Sequence, residues 1–153
     1  FQDKECLTFA ILEWALQPKF FSPHPNINAV FERIRVGRSF LNEHSFLINL
    51  SESPACKNCP SPRENSLHFL CSCPSFNEQR QTLLTKMEEF IPNIKQLPKK
   101  RQFEILVFGY DPDNIELYRI NTKIMLLTQN FIYDTKRFIH PIKLSFFILG
   151  HGD

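Results

Sequence analysis

Cys56, Cys59, His68 and Cys73 follow one another with spacers of two, eight and four residues, and this spacing constrains the fold more than any other feature of the chain. A zinc ion takes four tetrahedral nitrogen or sulfur ligands, and a Cys-x2-Cys turn aims two thiolates at one point. The His68-x4-Cys73 arm supplies the second pair if the chain turns back between the two arms. The eight-residue middle spacer is longer than in the shortest zinc knuckles and shorter than in the finger whose two arms lie on a hairpin and a helix. A disulfide framework competes, because Cys56, Cys59, Cys71 and Cys73 can pair in three ways. Nothing in the chain marks secretion, and Cys-x-Cys is a poor geometry for a local bridge. The redox compartment therefore favours zinc.

The fourth ligand has two candidates. If Ser66 to Cys71 forms a helical turn, Cys71 lies three residues after His68 and shares its face. Cys73 must then reach back from beyond the helix end, where Pro74 changes the chain direction. The reading adopted is Cys73 as ligand and Cys71 as a small buried thiol beside Phe69 and Leu70.

The chain has 153 residues, room for one domain or one small domain with a tail. Hydrophobic residues at 42% and charged residues at 22% mark a globular chain. A net charge of +2 is too small to establish a nucleic-acid partner, so local clusters must carry that case. No apolar run reaches the length that spans a bilayer. The apolar stretch Cys6–Leu16 is flanked or interrupted by Asp3, Glu5 and Glu13 and lacks the basic start of a signal peptide. The expectation is an intracellular protein, nuclear or cytoplasmic. Its opening at Phe1, without a methionine, reads as a fragment or processed piece.

Four regions follow from the pattern. Residues 1–25 hold a short helix around Cys6–Leu16, with Trp14 as core, and a proline-rich break. Residues 26–50 read as helical, with Val30, Phe31, Ile34, Leu41 and Leu47 at helical spacing and a kink at Gly37. Residues 51–74 are the turn-rich metal region, punctuated by Pro54, Pro60, Pro62 and Pro74. Beyond it, Ser75 and Glu78 form a capping box for a helix running to about Phe90. A further helix spans Lys99–Phe108 and stops at Gly109. The longest runs from about Asn114 to Ile139, capped by Asp113, with Ile115, Leu117, Ile120, Ile124, Leu127, Phe131 and Ile132 on its apolar side. Residues 140–153 form a tail. The expected fold is mainly α: a small helical domain over 26–139, nucleated by a Cys-Cys-His-Cys zinc site. Metal binding supplies about 10–16 kcal/mol of folding free energy in isolated finger peptides.

Three stretches carry a resemblance: Arg33-Ile-Arg-Val-Gly-Arg-Ser-Phe-Leu-Asn42, Ser53-Pro-Ala-Cys-Lys-Asn-Cys59 and His68-Phe-Leu-Cys-Ser-Cys-Pro74. Together with Arg80, Leu83 and Leu84 they resemble the C-terminal region of the polymerase polyprotein of animal non-LTR retrotransposons, of the jockey-like and related groups. The similarity runs roughly over residues 30–139, and the later segments Leu106–Gly109, Thr128–Ile132 and Thr135–Phe138 also fit it. Residues 1–25 and 140–153 do not fit, as in a truncated or decayed copy. The resemblance implies association with reverse transcription and with an upstream reverse transcriptase domain. The chain itself has no Asp-Asp pair for two-metal phosphoryl transfer, so it is expected not to be an enzyme.

The leading functional reading is a zinc-knuckle accessory module that binds RNA or DNA without sequence preference and with modest affinity. Arg33, Arg35 and Arg38 precede the metal loop, and Lys57 and Arg63 lie within it. Such cations contact phosphates with a salt-dependent gain. Arg35 and Arg38, three apart, can share a helix face, and a solvated face is the competing reading of these arginines. Phe69 and Phe76 could stack on unpaired bases, although core positions are favoured for both. Lys99, Lys100 and Arg101 read as a solvated patch. The alternative function is a zinc-stabilised protein-interaction module. A Cys–His enzyme built on Cys59 with His44 or His68 lacks a nucleophile setting, and His24, His44, His140 and His151 read as surface residues.

Overall fold

A computed structural model describes residues 25–138. Over that span run α1 (Pro25–Arg35), α2 (Asn42–Leu47), α3 (Asn77–Glu88), α4 (Lys99–Phe108) and α5 (Tyr118–Asp134), with no strand among the described residues. The domain is mainly α, as expected. The expected Cys6–Leu16 helix with Trp14, His24, the last residue of the expected long helix at Ile139, and the 140–153 tail all lie outside the described residues.

The single kinked helix expected over 26–50 is two helices. Gly37, at φ +74, adopts the left-handed conformation that ends α1. The Arg38 amide donates to the Arg33 carbonyl (2.8 Å) and the Gly37 amide to that of Ile34 (3.2 Å), the two bonds of a Schellman cap. The helix stops there because both orphan carbonyls are satisfied by a backbone no longer helical. Arg35 and Arg38 therefore do not share a helix face. A second such cap closes α2, where the Leu50 amide reaches Ser45 and Asn49 sits at φ +59.

α5 is the central strut, packed against α1, α3 and α4. Phe31 and Ile34 from α1, Leu83, Leu84 and Met87 from α3, Ile105 and Leu106 from α4, and Ile124, Phe131 and Ile132 from α5 are buried together. Each such side chain contributes roughly 1.5–3 kcal/mol of apolar burial. α4 has the expected bounds and ends at Gly109, φ +97, where a Cβ would lie 2.7 Å from the side chain of Asn121.

Three local expectations change. Ser75 does not cap α3; it lies in a 3-10 turn, Pro74–Phe76, and its hydroxyl donates to the Asn58 carbonyl. The residue that precedes α3 is Phe76, and α3 has no side-chain cap bond. Asp113 does not cap the long helix: the Asn114 side chain accepts from the Glu116 amide at 3.0 Å and opens a 3-10 turn that precedes α5, which itself has no side-chain cap bond. Ile115, expected on the apolar side, lies in that turn and is 87% exposed.

Candidate metal centre

The loop from Pro54 to Glu64 folds back on itself before it offers any ligand. The Cys56 amide donates to the Ser61 carbonyl (3.0 Å), and the Glu64 amide donates to that of Pro54 (2.8 Å). These two bonds pinch the chain so that Cys56 and Cys59 sit on one tight turn. The Asn58 amide then points at the Cys56 sulfur, 3.4 Å away.

The second arm comes from a π-turn, His68–Ser72. Its Cys73 amide donates to the His68 carbonyl at 2.7 Å, a five-residue closure in place of the four of an α-helix. The His68 amide is fixed by the Asn65 side chain at 2.8 Å. The extra residue in the turn swings Cys73 round beside His68. Cys71 takes the opposite side and is buried in the apolar core.

One ligand atom from each of Cys56, Cys59, His68 and Cys73 lies within 4.8 Å of every other. Cys56 Sγ is 4.0 Å from Cys73 Sγ, and Cys59 Sγ is 3.3 Å from His68 Nε2. Zinc–sulfur bonds of about 2.3 Å in a tetrahedron place sulfurs about 3.8 Å apart, close to the Cys56–Cys73 separation. A disulfide needs about 2.05 Å, and the four described cysteines are free. The group is close enough to hold a metal ion, and three thiols with one imidazole form a soft donor set.

The electrostatics follow from burial. Desolvation pushes the Cys56 thiol up to about 11, whereas the Ser61 amide holds the more exposed Cys59 below its ordinary value. Burial also holds His68 below the usual histidine range, keeping it in the neutral form that ligates metals.

Behind the ligands stand residues whose roles the sequence did not disclose. Asn42 donates from its side chain to the Ala55 carbonyl (2.6 Å), and its amide donates to the Glu64 carboxylate (2.9 Å). Glu64, fully buried, also takes two bonds from Arg137 at 2.7 Å each. Arg80 donates to the carbonyls of Leu70 and Cys73 at 2.8 Å and of Phe69 at 3.4 Å. Asn42 and Arg80 stood in the resembling motifs without a role. Glu64 carried no local signal, because its partner lies at the far end of the domain.

The five candidate cations are placed unequally. Arg38 and Lys57 are exposed. Arg33 is exposed and its guanidinium stands over the Phe40 ring, 5.2 Å from the centroid. Arg63 reaches Glu43 at 2.9 Å while remaining 72% exposed. Arg35 differs: its side chain is only 11% exposed, paired with Glu32 at 3.3 Å and set against the Phe31 ring. Phe69 and Phe76 are core, edge to face at 5.4 Å, and Phe69 also meets Phe131 and Phe138. Neither offers a stacking surface.

Compared with known proteins, the chain is similar over 53 residues, at 38% identity, to the retrovirus-related Pol polyprotein from type-1 retrotransposable element R1 4 of Nasonia vitripennis. The match takes in 35% of this chain and 13% of that protein's length. No family model matches, and no solved structure matches. Among the described residues no helix is long and apolar enough to cross a membrane.

Proposed function

We propose that this chain is a non-catalytic, zinc-binding accessory module of a retrotransposon reverse transcriptase polyprotein, and that it contacts RNA or DNA beside its metal site. The observation that carries the reading is the convergence of Cys56, Cys59, His68 and Cys73 within 4.8 Å. The similarity to a Pol polyprotein supports the retrotransposon part. Zinc is the metal of choice because thiolate and imidazole ligands in a closed four-donor site leave no position for substrate, the mark of a structural centre. The functional unit is residues 26–139, with the zinc knuckle at 51–74 and the C-terminal end of the polyprotein as its place.

Arg33, Arg38, Lys57 and Arg63 are the proposed phosphate contacts, with Arg35 shaping the surface from its buried position. Few cations imply modest binding, in the non-specific range of about 10⁻⁴ to 10⁻⁶ M, falling steeply with salt. Fluorescence anisotropy with labelled RNA and DNA at two salt concentrations, on metal-loaded protein, tests it. Arg38→Gln with Lys57→Gln should weaken all sequences alike, because phosphate contacts carry no base information. No binding at low salt refutes the nucleic-acid part.

The alternative is a zinc-stabilised module that holds another protein, such as the upstream reverse transcriptase domain. One observation favours it: Val36, Phe40, Phe46, Leu47, Ile48 and Leu50 are all exposed between the end of α1 and the metal loop. Apolar side chains gathered on a surface mark interaction sites more often than solvent-facing filler. Retained RNA binding after Leu47→Glu, with loss of association to the longer polyprotein, would separate the two uses.

A further inference from the structure

Arg80 is a cation inside the core, 4% exposed. Arginine is almost never so buried unless it is paired. Among the described residues, the arginines in ion pairs are Arg35, Arg63, Arg101 and Arg137, and no carboxylate pairs with Arg80. Its partners are backbone carbonyls, Leu70 and Cys73 at 2.8 Å and Phe69 at 3.4 Å. These take up its Nε and Nη2 donors without balancing its charge.

The carbonyls that Arg80 holds belong to the arm that presents His68 and Cys73. A π-turn leaves its last carbonyls without helical partners, and the guanidinium fork fills them. Three thiolates around a dication carry one net negative charge, which is the charge this buried cation lacks. We propose that Arg80 is a positioning residue of the metal centre: it locks the His68–Cys73 arm through its carbonyls and neutralises the tris-thiolate site. It touches no ligand atom and acts through the backbone. This inference rests on the metal-binding reading above.

The test uses the full chain loaded with Co²⁺. Thiolate-to-cobalt absorbance reports how many thiolates bind, and the d–d bands report tetrahedral geometry. Zn²⁺ affinity is read by displacement of the cobalt. Arg80→Lys keeps the charge but loses the planar fork, and Arg80→Met removes both. Leu83→Ala, buried on the same helix, is the control for general core damage.

The expected result is an affinity loss of about 10–100-fold for Arg80→Met, the range for partners that orient metal ligands. Arg80→Lys should lose less. In both, thiolate absorbance per bound cobalt should fall as Cys73 disengages, while Leu83→Ala keeps spectrum and affinity despite lower stability. Wild-type affinity and spectrum in both Arg80 variants overturn the proposal and leave the metal site standing. Equal weakening by Leu83→Ala also overturns it, as a merely structural effect. If Arg80→Met does not fold, Arg80→Lys decides alone: an unchanged affinity is fatal, a weakened one supportive. If the wild-type chain shows no tetrahedral cobalt spectrum, the metal-binding reading itself falls.

Discussion

Glu64 and Arg137, 73 residues apart in the chain, meet in a two-pronged ion pair with both bonds at 2.7 Å. Glu64 sits on the metal loop and Arg137 just past α5, so the pair ties that loop to the C-terminal end of the described residues. The Glu64 side chain is 1% exposed and that of Arg137 20% exposed. The same carboxylate also accepts the Asn42 amide at 2.9 Å. Loop, α2 and the end of α5 are thus held by one side chain.

Arg137→Met should destabilise the domain by about 3 kcal/mol, because it strands a buried carboxylate. Arg137→Met combined with Glu64→Gln should recover part of that loss, since no charge is then left unpaired. Urea unfolding of the three proteins measures both values. A single-variant loss below about 1 kcal/mol, within the range of exposed pairs, contradicts the tie.

Purified chain should carry one zinc. Cys56→Ser and His68→Ala should lose it and unfold residues 51–74, whereas Cys71→Ser should retain it. Elemental analysis decides, and clearly less than half an equivalent in the wild type sinks the zinc assignment. Metal loss after Cys71→Ser but not after Cys73→Ser would show that the π-turn presents the wrong thiol.

The two positive-φ glycines should respond differently to alanine. At Gly37 a Cβ meets nothing within 4 Å, so only the left-handed φ of +74 is unfavourable. Gly37→Ala should cost roughly 1–2 kcal/mol. At Gly109 a Cβ would also strike the Asn121 side chain at 2.7 Å, and Asn121 accepts the Tyr110 amide at 2.8 Å. Gly109→Ala should therefore be the more damaging in thermal unfolding. The reverse order would mean that Asn121 yields without loss.

The chain should not extend a primer on any template with Mg²⁺ or Mn²⁺, because its sequence has no Asp-Asp pair of the kind that holds two metal ions. Template-dependent extension that disappears on replacing Asp111, Asp113 or Asp134 would overturn the non-catalytic reading.

What could be read from the sequence was local. The Cys-x2-Cys turn, the bounds of α4 and its stop at Gly109 each depend on neighbours in the chain. Apolar spacing continues through Gly37 to Leu41 and Leu47, so the pattern predicts a kink where the chain breaks. Periodicity cannot register that the helix has already closed its own carbonyls. Ser75 reads as a cap because Ser-x-x-Glu is a local pattern, whereas the fold places it inside a 3-10 turn with its hydroxyl on Asn58. Arg35 looked like its arginine neighbours until packing placed it against Phe31 and Glu32. Glu64 was silent for the plainest reason: its partner is at residue 137.

The π-turn at His68–Ser72 turns a spacer length into a winding number. With the Cys73 amide bonded back to His68, the four residues between them make one wide turn. In ordinary α-helix, at about 100° per residue, five steps would carry the last sulfur about 140° away from His68; the wider turn brings the two to one side. The five-step spacing therefore depends on the turn staying wide. A copy that lost one codon there would set the histidine and the last cysteine four apart, a spacing that ordinary α-helix already brings to one face.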